Sequence, residues 1–148
     1  MTATAQLLEL KSATSAIALV ADDHVAPCDV PARTYAGLVA LAGAPVDPAR
    51  VSPAALILKA EGLVNLPAIS FGSNYDLDVR SIELDRGLVN ALDCGWLHIR
   101  DGRVSATELV TPPLTREAAR ARAQELFALG AEELMRAARH HLLRERIA

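Results

Sequence analysis

Residues 78–110 read DVRSIELDRGLVNALDCGWLHIRDGRVSATELV, and this stretch decides the fold. It predicts one amphipathic helix that runs into a tight β-hairpin. Asp78 is placed to cap the helix by accepting from first-turn N–H groups. Leu77 before it and Ile82 inside it form a hydrophobic staple. Leu84, Leu88, Ala91 and Leu92 recur at helical spacing and make one apolar stripe. Gly95 is suited to the left-handed stop after Cys94. The hairpin signal is sharper. Asp101-Gly102 favours a two-residue type I′ turn. A register centred there pairs Arg100 with Arg103, Ile99 with Val104, His98 with Ser105 and Leu97 with Ala106. Ile99, Val104, Leu97 and Ala106 then share one face, so turn chemistry and hydrophobic alternation agree.

Outward from this stretch the chain reads as helical. Residues 4–21 predict a first helix with Leu7, Leu10, Ile17, Ala18 and Ala21 on its apolar face. Pro31 starts a second helix over 31–42, with Tyr35, Leu38, Val39 and Ala42 inward and Gly43 as its stop. Ser52 is expected to cap a third helix, with Pro53 in its first turn and Gly62 ending it. Within 63–78, Leu63-Val64 and 68–71 are candidate short strands and 72–74 a turn. After Pro112-Pro113 breaks the chain, Thr115 opens a helical stretch that runs to the C-terminus. Gly130 in that stretch is either a break between two helices or a close-packing point within one. The expected organisation is residues 1–110 as one domain and 111–148 as a helical extension, either part of the same compact unit or an oligomerisation helix.

The chain has 148 residues, 51% of them hydrophobic but only 3% aromatic, so its core is built from Leu, Val, Ile and Ala. The net charge of −3 argues against indiscriminate nucleic-acid binding. The charge is uneven: residues 1–114 sum to −5 and 115–148 to +2. Two cysteines, Cys28 and Cys94, do not make a disulfide framework. No signal peptide or membrane-spanning run is visible, so a cytoplasmic protein is the expectation.

Helices followed by a helix and hairpin resemble a winged-helix domain. The segment GLVNALDCGWLHIRDGRVSATELV, residues 87–110, looks like the end of a recognition helix followed by a wing. The resemblance covers roughly residues 31–110. It departs in that residues 63–77 intervene where the turn before the recognition helix is ordinarily short. A second, weaker resemblance is to the small middle components of bacterial three-component ATPase conflict systems, carried by the Leu92, Gly95-Trp96-Leu97 and Asp101-Gly102-Arg103 pattern. Together these imply an α+β, mostly helical, winged-helix-like fold. They also imply an accessory role in a multi-component ATPase or defence assembly.

Two sets of surface residues are candidates for binding. For a protein partner or self-association they are Trp96, Arg100 and Arg103 on the wing, with Leu134, Met135, Ala138 and Leu142 on the last helix. For DNA, the alternative, they are Arg80, Arg86, Asn90, Arg100, Arg103, Arg136 and Arg139. The putting-forward of Arg80, Glu83, Asp85, Arg86, Asn90 and Asp93 on the recognition helix leaves it net −1, which suits a phosphate backbone badly. Protein contact is therefore preferred to a dimeric DNA-binding regulator. Asn74, Asp76, Asp78 and Asp85 echo a calcium loop, but Val79 stands where that loop needs Gly, and helix capping explains the same carboxylates. The cysteines and histidines lack metal-ligand spacing. Cys94, at the wrong helix end to favour a thiolate, reads as core. No nucleophile, base and orienting group are gathered, so the expectation is a non-catalytic protein without cofactor or metal.

Overall fold

The computed structural model describes residues 17–18, 29–66, 68–73, 78–110 and 117–147. The fold is mostly helical with small two-stranded sheets. In chain order the elements are β1 Ile17–Ala18, α1 Val30–Ala42, α2 Val51–Ala60, β2 Val64–Asn65, β3 Gly72–Ser73, β4 Val79–Arg80, α3 Ile82–Asp93, β5 Leu97–Arg100, β6 Arg103–Ala106, α4 Glu117–Ala128 and α5 Ala131–Ile147. Sheets pair β1 with β2 in parallel, and β3 with β4 and β5 with β6 antiparallel.

Local capping chemistry accounts for α1. Asp29 accepts from the Ala32 N–H at 2.9 Å, Pro31 lies in the first turn, and Gly43 ends the helix in the left-handed conformation. The expected start of the third helix is corrected. Asp47, not Ser52, is the cap: it accepts from Ala49 N–H at the head of a 3₁₀ turn, Pro48–Arg50, that leads directly into α2. Ser52 lies inside α2 and is buried.

The start of α3 is also corrected. Ser81 caps it by accepting from the Leu84 N–H at 3.2 Å. Asp78 cannot serve, because Val79 and Arg80 behind it are extended in β4. Val79 is fully buried, and its N–H donates to Met135 Sδ at 3.0 Å. The strand expected at 68–71 is instead at Gly72–Ser73, where a turn was expected, and it pairs with β4. The connection between α2 and α3 thus ends in a small antiparallel pair, whose second strand delivers the chain into α3. Of the expected first helix only residues 17–18 are described, and they are extended, Ile17 pairing with Val64 and Ala18 with Asn65 in place of helical bonds. Thr115, Asn74 and Asp76 lie outside the described residues.

The main hairpin follows the turn chemistry residue for residue. Asp101 and Gly102 both have positive φ, 55° and 74°, as a type I′ turn requires. The register pairs Leu97 with Ala106, His98 with Ser105, Ile99 with Val104 and Arg100 with Arg103. Leu97 and Val104 are buried, whereas Ile99, towards the tip on the same face, is 50% exposed. Val46, between α1 and α2, exchanges two backbone hydrogen bonds with Val104 at 2.9 and 2.8 Å, and so fastens the hairpin to the helices.

The most extensive contact between elements is α1 against α3. It depends on Gly87, since a Cβ there would lie 2.4 Å from the Pro31 carbonyl oxygen. The C-terminal stretch is two helices, broken at Leu129 and Gly130. Arg50 Nη1 donates to the carbonyls of Phe127 (3.3 Å) and Leu129, satisfying acceptors that the end of α4 leaves open. α4 and α5 pack on α1 and α2, and Ala123, Leu126, Leu134, Ala138 and Leu142 belong to the same core as Leu38, Leu56 and Leu84. Arg122 forks onto Glu61 with two 2.9 Å hydrogen bonds, tying α4 to the end of α2.

Two predictions test this packing. Helix propensity alone gives Gly87→Ala a gain of about 1 kcal/mol, but the clash with backbone outweighs it. The variant is expected to lose at least about 2 kcal/mol in urea unfolding. Gly130→Ala, where an added Cβ meets nothing within 4 Å, is expected to lose none. Tyr35 is buried with its hydroxyl making no hydrogen bond among the described residues. Burial, and then the fields of Asp85 and Asp47, push its pKa above the ordinary 10.0. The folded state therefore keeps the proton while the unfolded chain releases it above about pH 10, and stability falls there. Tyr35→Phe is expected to match or exceed the wild type at pH 7, by up to about 1 kcal/mol, and to lose less stability above pH 10 in the same assay.

Candidate interaction surface

α3 has two faces of opposite character. Leu84, Gly87 and Ala91 are buried against α1, with Leu88 and Leu92 partly buried beside them. On the outward side Ile82 is 65% exposed and Val89 56%. They border a shallow groove of about 380 Å³ that Asp85, Arg86 and Asn90 complete. Two large aliphatic side chains on one helix face give that groove an apolar lining that a partner could cover. The spacing of seven between Ile82 and Val89 is the sequence signal for this face, and the exposure of Ile82 excludes the staple expected of it.

The expected docking face of the last helix is corrected. Leu134, Ala138 and Leu142 are buried in the chain's own core, because α5 packs on α2. Met135 is half-buried, with its sulfur engaged by Val79. These side chains hold the fold together and are not open to a partner. On the hairpin, Arg100 and Arg103 are exposed neighbours at the tip. Trp96 is half-buried against the core. Its N–H donates to Ala91 O at 3.0 Å and its carbonyl accepts from Thr107 N–H at 2.9 Å, so it is the anchor where helix becomes hairpin. Cys94, expected as a core thiol, is half-buried at the end of α3 and disulfide-bonded.

The residues suggested for DNA divide by what they already bind. Arg80 pairs with Asp85 at 3.1 Å, and Arg139 with Asp78 at 3.7 Å. Asn90 donates to the second carboxylate oxygen of Asp29 at 2.8 Å, linking α3 to the cap of α1. Arg86, Arg100, Arg103 and Arg136 are exposed. They do not converge on one surface in α3: only Arg86 of the four belongs to that helix, and Glu83, Asp85 and Asp93 share it.

Glu83 anchors the first turn of α3. Its Oε1 accepts from the Ser70 N–H and hydroxyl, both at 3.0 Å, and from the Ser81 hydroxyl at 3.2 Å. The Ser70 backbone bond, followed by its hydroxyl, holds the carboxyl below its ordinary 4.5. No local pattern marks this pair, because its members stand thirteen positions apart in the chain.

No metal-holding group of His, Cys, Asp or Glu occurs among the described residues, and no described helix is long and apolar enough to cross a membrane. No family model, no curated protein and no solved structure matches this chain.

The Glu83 contacts carry a pH prediction. A depressed carboxyl pKa stabilises the folded state above pH 4.5, and that contribution disappears as the pH falls through the folded value. Glu83→Gln is expected to be less stable than wild type at pH 7. The difference should shrink in thermal unfolding followed from pH 5 down to 3.

Proposed function

We propose that this chain is a non-catalytic accessory subunit that works through protein–protein contacts, built on a winged-helix-like domain. The observation that carries the reading is the outward face of α3, with Ile82 and Val89 exposed by more than half. A helix that reads a major groove meets phosphates and polar base edges. This one presents aliphatic side chains among Glu83, Asp85 and Asp93. The winged-helix reading is supported by the order of elements: helix, Val46 bridge, helix, helix and hairpin, with Val46 bonded to the second hairpin strand, which therefore lies between Val46 and β5. The hairpin tip extends the proposed contact surface beyond α3.

One observation favours the second reading, a dimeric DNA-binding regulator. Arg100 and Arg103 sit side by side at the tip with like charges facing, an arrangement that an anion would relieve.

Fluorescence anisotropy of a mixed-sequence DNA duplex, across a salt series, separates the two. The expected result is no micromolar binding at about 0.15 M salt. Binding that weakens with a slope of several released ions, and that Arg100→Glu with Arg103→Glu removes, would overturn the protein-contact reading.

A further inference from the structure

The outward ridge of α3 runs Ile82, Arg86, Val89, Asp93, at spacings of four, three and four, so these side chains lie on one side of the helix. Val89 stands near the middle, with Arg86 one turn before it and Asp93 one turn after. Arg86 and Asp93 are both exposed, and neither forms an ion pair among the described residues. An apolar centre flanked by one free cation and one free anion is self-complementary in only one direction. Laid parallel, two such ridges set Arg86 against Arg86 and Asp93 against Asp93. Laid antiparallel about a two-fold axis beside Val89, they set each Arg86 against the partner's Asp93. The two valines then meet at the centre.

From this charge pattern we infer that the occupant of the α3 face is a second copy of this chain, packed antiparallel through an isologous contact. The inference rests on the protein-contact reading and names its partner. A single twelve-residue helix face falls short of the roughly 1,600 Å² that a standard interface buries. The dimer is therefore a concentration-dependent one, half-formed at about 10–100 µM. It also takes α3 out of reach of DNA.

Sedimentation velocity of the full chain from about 1 to 500 µM tests the inference. Wild type is expected to shift from monomer to dimer across that range, and Val89→Arg to remain monomeric. Arg86→Asp and Asp93→Arg alone each set like charges together, and each should weaken association about tenfold. The double variant exchanges the signs and should return association to near the wild-type level. All of these positions are exposed, so unchanged circular dichroism and urea midpoints certify that each variant is folded. A monomer at every concentration overturns the inference, as does a dimer indifferent to Val89→Arg or a double variant that fails to recover. A monomer that also leaves DNA unbound overturns only the second-copy partner. Salt-dependent DNA binding through Arg100 and Arg103 overturns the protein-contact reading beneath it.

Discussion

The close passage of α1 over α3 is the constraint on which the rest depends. The missing side chain of Gly87 lets the backbone of α3 approach the Pro31 carbonyl to a distance that any Cβ would violate. That contact fixes which side of α3 faces inward. Leu84 and Ala91, three before and four after Gly87, must then be buried, and Ile82 and Val89 must point out. Asp29 follows from the same geometry. It caps α1 with one carboxylate oxygen and takes a hydrogen bond from Asn90 of α3 with the other. One side chain thus closes a helix end and locks the crossing.

The remaining elements are fastened to this pair by backbone and by arginine. Val46 and Val104 join the hairpin to the connection between α1 and α2, which holds its base close to the helices while its tip stays in solvent. Arg50 takes up the open carbonyls at the end of α4, and Arg122 grips Glu61. The bidentate pair is partly exposed, so it orients the extension more than it stabilises it. The apolar burial of Leu126, Leu134 and Leu142 supplies the energy, at about 1.5–3 kcal/mol for each side chain taken fully from water.

This allocation bears on function. Side chains that could have served a nucleic acid are spent within the chain: the guanidinium of Arg80 on Asp85, that of Arg139 on Asp78, and the amide of Asn90 on Asp29. The apolar face of α5, which had the marks of a docking helix, is spent on the core. A smaller aliphatic pair, Ile82 and Val89, is left open on α3. The hairpin tip keeps two unspent cations, where they project from the body and cost the fold little.

Short-range features were legible in the sequence because the chemistry that fixes them is carried by adjacent residues. Gly43, Gly62 and Gly95 adopt the positive φ expected of helix stops, and Asp101-Gly102 alone sets the hairpin register. The mostly helical class follows from the same signals. What only the tertiary structure decided is which of two equally good local choices wins. Asp78 and Ser81 are both competent caps, and Ser81 is used because burial of Val79 draws the intervening residues into a strand. The apolar face of α5 had the spacing of a contact surface, and the packing of α5 on α2 buries it. The bonds of Glu83 to Ser70 and of Arg50 to Leu129 join residues too far apart for any local pattern to foretell. Local conformation is set by neighbours along the chain, whereas exposure and pairing are set by which distant segments meet.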